Sequence, residues 1–106
     1  MNNIFDEVPK RLNQEQFVTL LNCSPLRIER IVSRGHCSPK SGWYDQAEDE
    51  WVMVLQGEAV LEFADGCCCT LVAGSFLHIP AHRLHKVSYT DPRQDTIWLA
   101  IFFEQV

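Results

Sequence analysis

The stretch Glu50-Trp-Val-Met-Val-Leu-Gln-Gly57-Glu-Ala-Val-Leu-Glu-Phe63 decides the fold. Its first part, residues 51–55, is an unbroken apolar run closed by Gln56-Gly57, as in a strand buried on both faces and ended by a turn. Beyond Gly57 the period becomes two. Ala59, Leu61 and Phe63 alternate with Glu58, Val60 and Glu62, as in a strand with one face in a core. Asp65-Gly66 then signals a hairpin.

Outward from this centre the same rhythm continues. Residues 70–72, 76–79, 84–88 and 96–103 read as further strands, punctuated by Ala73-Gly74, Pro80 and Asp91-Pro92. Upstream, Leu26 and Ile28 alternate with Arg27 and Glu29, which adds another. Short strands with a turn signal about every ten residues predict an all-β sandwich or small barrel. Only one element departs from this. Asn13 as a cap, Gln16 at the third position and the Phe17, Leu20, Leu21 stripe predict a short helix, ended by Cys23-Ser24-Pro25. The expected organisation is one domain, with an arm and short helix over residues 1–25 and a β-barrel over 26–106.

With 106 residues and 46% apolar content, the chain can bury about two-thirds of its unfolded surface. Nine Lys and Arg against fourteen Asp and Glu give a net charge of -5, which argues against a nucleic-acid partner. The apolar run 97–103 is too short to cross a bilayer as a helix, so no membrane partner is expected. The first residues show neither a basic nor an apolar leader region, and a cytoplasmic location is the expectation. Five cysteines, Cys23, Cys37 and the run Cys67-Cys68-Cys69, make an odd count that argues against a disulfide framework. The run reads either as a soft-metal ligand set or as an incidental sequence after the Asp65-Gly66 turn. Cys23 and Cys37 read as small apolar fillers.

Two segments concentrate polar side chains between apolar strands: residues 42–57 and residues 74–85. In the first, Glu50 is followed by six residues and Gly57. In the second, Gly74 is followed by five residues, Pro80, a turn and His85. The pair resembles the two motifs of the cupin superfamily, over roughly residues 26–103. The resemblance implies a jelly-roll barrel, a double-stranded β-helix, with a small-molecule site at its mouth. It also implies a divalent metal (Fe, Mn, Ni or Zn) and a homodimer formed through an apolar sheet face.

This chain departs from the pattern at the residues that matter for the metal. Where the family carries His-x-His, there is Tyr44 and Gln46, or Trp43 and Asp45 with the longer gap. The glycine usual two residues after the proline is His82, and the asparagine usual four residues after the histidine is Tyr89. The candidate ligand set is therefore Gln46, Glu50, His82 and His85, with Asp45 and Tyr44 at its edge. His78 and His36 read as structural, His78 in the interior. Arg83 and Lys86 read as solvated charges, or else as an attraction for an anionic substrate.

Two functions follow from different classes. One is a metal-dependent enzyme of oxygenase or isomerase type. The other is a non-catalytic ligand-binding or dimerising module without metal.

Overall fold

The computed structural model describes residues 2–105. Eight strands follow in order: β1 (Gln16–Cys23), β2 (Leu26–Ser33), β3 (Asp49–Gln56), β4 (Glu58–Phe63), β5 (Cys68–Val72), β6 (Phe76–Ile79), β7 (His85–Thr90) and β8 (Thr96–Phe103). They form a five-stranded antiparallel sheet of order β1-β2-β8-β3-β6 and a three-stranded one of order β5-β4-β7. Facing antiparallel sheets bury their inner faces against each other, which is the jelly-roll solution to the edge problem.

Alternation decides what lies between the sheets. Ala59, Leu61 and Phe63 of β4 point inward, as the period of two predicts, and meet Val52, Val54, Trp98, Ala100 and Phe102 from β3 and β8. The apolar run of β8 sits in the middle of the large sheet, paired with β2 on one side and β3 on the other. That position explains its continuous hydrophobicity.

The expected helix is a strand. Residues 16–23 pair antiparallel with β2, and the ladder shifts between Thr19 and Leu21. One extra residue in the ladder is a bulge, and a bulge breaks the period of two. Phe17, Leu20 and Leu21 therefore show helix spacing while lying in a strand. All three stay exposed, so no helical face is buried there. The arm before β1 is held by two arginines. Arg30 donates to the carbonyls of Ile4 and Asp6 and to Gln16, while Arg34 donates to those of Pro9 and Lys10.

Other expectations also change. Cys23 and Cys37 are exposed rather than packed as fillers, and all five cysteines are free. His78 lies on the outer face, donating to or accepting from buried Asp49 at 2.7 Å and stacked on Phe103. Among the described residues, no helix is long and apolar enough to cross a membrane.

The turn after β3 is tighter than its sequence suggests. Gly57 has φ +94°, and a Cβ there would stand 2.6 Å from Thr96 Cα and 2.9 Å from the Asp95 carbonyl oxygen. Here the β3–β4 turn passes directly over the start of β8. At the far end of β7, the Asp91 carboxylate accepts from the Arg93 and Gln94 side chains and from the Arg93 amide. Those hydrogen bonds hold its pKa down to about 2.

Candidate functional site

A cavity of about 280 Å³ opens between the two sheets. That is near the lower end for small-molecule pockets, about 300 Å³ upward. Val52, Leu61, Val87, Trp98 and Phe102 give it apolar walls. Its polar groups come from five places. Glu50 is the second residue of β3 and faces inward with Val52 and Val54. His85 opens β7. Tyr44 and Gln46 come from the long connection before β3. Glu15, Arg27 and Glu29 come from β2 and the approach to β1.

The connection is held by main-chain pairing. Tyr44 and His85 exchange both backbone hydrogen bonds, Tyr44 N–H to His85 O at 2.7 Å and His85 N–H to Tyr44 O at 3.3 Å. Farther along the turn, the His82 N–H donates to the Gln46 carbonyl at 2.7 Å. These bonds place Tyr44 and Gln46 on the cavity side, the parity of the shorter family gap. Asp45 lies between them and points away, to His82 on the outer surface at 2.7 Å.

Glu50 and His85 are the chemical centre. Both are buried, and Nε2 of His85 lies 3.7 Å from Oε1 of Glu50. The other ring nitrogen, Nδ1, donates to the Arg83 carbonyl at 2.7 Å, which aims Nε2 at the carboxylate. Burial opposes a charge on the imidazole. The Glu50 carboxylate and the Arg83 carbonyl outweigh it, and the pKa of His85 is raised. The Tyr44 ring lies 5.5 Å from the His85 ring, tilted 39° to it. Its own pKa is raised, first by burial and then by the charges of Glu15 and Glu50, against the Ser38 hydroxyl. The phenol therefore stays protonated and can donate.

Of the candidate ligand set, the structure brings Gln46, Glu50 and His85 to one cavity and leaves His82 out. The His82 side chain is 69% exposed and turned to Asp45, and its φ is +64°. The turn after Pro80 needs a left-handed residue, which glycine supplies without steric cost. His82→Gly is therefore expected to stabilise the fold by about 0.5–1 kcal/mol and to leave ligand binding unchanged, checked by urea denaturation and ligand titration.

The metal implied by the resemblance was tested on the donors themselves. Among the described residues no three His, Cys, Asp or Glu side chains converge. The cavity offers one imidazole, one carboxylate, an amide oxygen and a protonated phenol, and the last two are weak ligands. This donor set does not fit a three-histidine, one-glutamate centre.

Trp98, which the sequence offered as a core or interface anchor able to wall a pocket, lines the cavity, and Arg27, Glu29 and Glu15 are cavity residues that sequence reasoning did not single out. Arg27 bonds to Glu48 at 2.6 Å and Glu29 at 3.1 Å, with its guanidinium over the Phe102 ring. Polar residues at the same parity as inward Ile31 were the available signal in β2. The alternation there was legible, but which face it presented to the interior was not.

Comparisons with known proteins agree with this fold. A family model described as a cupin domain matches residues 32–102. A crystal structure from Ralstonia eutropha JMP134, described as a "putative mannose-6-phosphate isomerase", is similar with a TM-score of 0.92 and 42% identity, covering 99% of this chain and 98% of that one. A cupin superfamily protein from Desulfitobacterium hafniense DCB-2 is similar with a TM-score of 0.75 at 24% identity, covering 92% of this chain and 84% of that one. The cupin domain of Schizosaccharomyces pombe Cnp3 shares the fold with a TM-score of 0.76 at 11% identity, covering 90% of this chain and 64% of that one. No curated protein matches the chain.

Proposed function

The chain belongs to the cupin family, and from that premise we propose that its cavity binds one small polar molecule and exchanges a proton with it through Glu50 and His85, an isomerase-type role. The observation that carries the reading is the buried pair itself, 3.7 Å apart among apolar walls. A carboxylate and an imidazolium held together supply the base and the acid of a proton shift beside a carbonyl. Glu50 takes the proton from the carbon next to the carbonyl. His85 Nε2–H gives one to the carbonyl oxygen, which leaves an enediol; the neutral imidazole then takes the proton of the neighbouring hydroxyl, and Glu50 delivers its proton to the former carbonyl carbon, so that carbonyl and hydroxyl exchange places. Tyr44 and Gln46 offer hydrogen bonds that orient the substrate. The 42% identical relative described as a putative isomerase supports the reaction class.

A resident divalent metal is not part of this proposal, because only Glu50 and His85 are strong donors. Metal analysis of protein purified without chelator is expected to give well under one equivalent of Fe, Mn, Ni or Zn. A full equivalent lost in both Glu50→Gln and His85→Ala would overturn that part. Proton exchange is tested in D2O with small aldoses and hydroxyketones, followed by NMR. Deuterium should enter the carbon beside the carbonyl with the native protein and not with either variant. Binding without exchange would favour the second reading, a ligand-binding module.

We further propose that the chain forms a homodimer through the outer face of the large sheet. Cross-strand register places Trp51 against Ile101 and Met53 against both Leu99 and Phe76. Phe76 is 63% exposed and packs on Trp51. An apolar stripe of this kind suits a second copy of the chain. Light scattering is expected to give a dimer, and the double change Met53→Glu, Phe76→Glu a monomer.

A further inference from the structure

We propose that the cavity selects its ligand by charge, accepting a small amine-bearing molecule and turning away phosphates and carboxylates. The inference rests on the binding role proposed above and names the ligand class. Its first support is a carboxylate with one partner, at long range. Glu50 is 8% exposed and lines the cavity, and its ion-pair partner, His85 Nε2, stands 3.7 Å from Oε1, longer than a good hydrogen bond. A buried carboxylate left short of donors is costly, and a ligand N–H placed in the cavity relieves it.

The second support is the balance of charge around the opening. Glu15, Glu29 and Glu50 line the cavity, and among the described residues Arg27 and His85 are its only basic side chains. Neither is free. Arg27 is shared between Glu29 and Glu48, and His85 faces Glu50. Glu15 has no cationic partner among the described residues; its carboxylate accepts from the Ser33 hydroxyl at 2.6 Å. An incoming anion would meet an excess of negative charge and no guanidinium to clamp it. An incoming ammonium would meet Glu15, which has no cationic partner among the described residues, and Glu50, whose cationic neighbour stands 3.7 Å away, with Phe17, Tyr44 and Trp98 also lining the cavity. The cavity therefore differs from a sugar-phosphate site, whatever reaction follows.

Three probes with one ring separate charge from shape: glucose, glucosamine at a pH where its amine is protonated, and glucose 6-phosphate. Affinity is measured by NMR titration, with the His85 ring signals reporting occupancy of the cavity. Glucosamine is expected to bind at least about tenfold more tightly than glucose, with glucose 6-phosphate weakest. Glu15→Gln should shrink the amine preference severalfold, and Glu15→Lys should bring glucose 6-phosphate above glucose. If glucose 6-phosphate binds tightest to the native protein, the charge inference is overturned and the binding role stands. If equal affinities are found for all three, the same follows. If none moves the His85 signals, the binding role fails and this inference with it.

Discussion

Gly57→Ala is expected to cost about 3 kcal/mol or more, a large part of the stability of a domain of this size. Two penalties add. The residue sits at φ +94°, where an L side chain is strained by about 1–2 kcal/mol. The new Cβ would also lie 2.6 Å from Thr96 Cα and 2.9 Å from the Asp95 carbonyl oxygen. Those are main-chain atoms of a neighbouring strand start, which no rotamer change can move aside. Relief would require parting the β3–β4 turn from β8, and Thr96 Oγ1 also bonds to the Glu58 carbonyl there. Urea denaturation should show a lower midpoint with an unchanged slope. Gly66→Ala gives the comparison: φ is also positive at +96°, but a Cβ there meets nothing within 4 Å, so the loss should be far smaller.

The second large effect is chemical. Glu50→Gln should reduce proton exchange with a bound substrate at least a hundredfold, since it removes the proposed base while keeping shape. It should also lower the pKa of His85. In the native protein burial pushes that pKa down, and the facing carboxylate with the Arg83 carbonyl more than reverses it. Without the carboxylate, burial dominates the balance. The sign for stability follows. A raised imidazole pKa contributes stability that is fully present below the unfolded value, about 6.5, and is lost as pH rises through the folded one. Native protein should therefore weaken as pH rises through the neutral range, and Glu50→Gln should not. NMR titration of the His85 ring and denaturation at several pH values read both effects. A His85 pKa unmoved by the substitution would show that the pair does not interact.

The sequence made much of this barrel legible, for identifiable reasons. Strands β3 to β8 announce themselves because one face of each is buried, and burial writes a period of two or an apolar run. Glu50 and Gly57 could be paired by spacing because both are tied to one short strand. One must face inward, and the other must cross β8. Strand β1 was misread because a bulge carries no mark in composition and imitates helical spacing. His82 was placed with the ligands because residue type suggested a donor, whereas its side chain is turned outward to Asp45, from a backbone at φ +64°. Arg27 and Glu29 escaped notice as cavity residues for a different reason. Their meeting with Glu50 depends on β8 bringing β2 and β3 together, a non-local pairing that no local pattern encodes.

The oxygen that orients the interior imidazole belongs to the peptide of Arg83, not to any side chain. Residues along the outer turn from 80 to 84 can therefore drift under surface selection, for solubility or for partners, while the chamber keeps its reactive nitrogen pointing the same way. Evolution can redecorate that rim and retain the chemistry beneath it, provided the main chain keeps its bend.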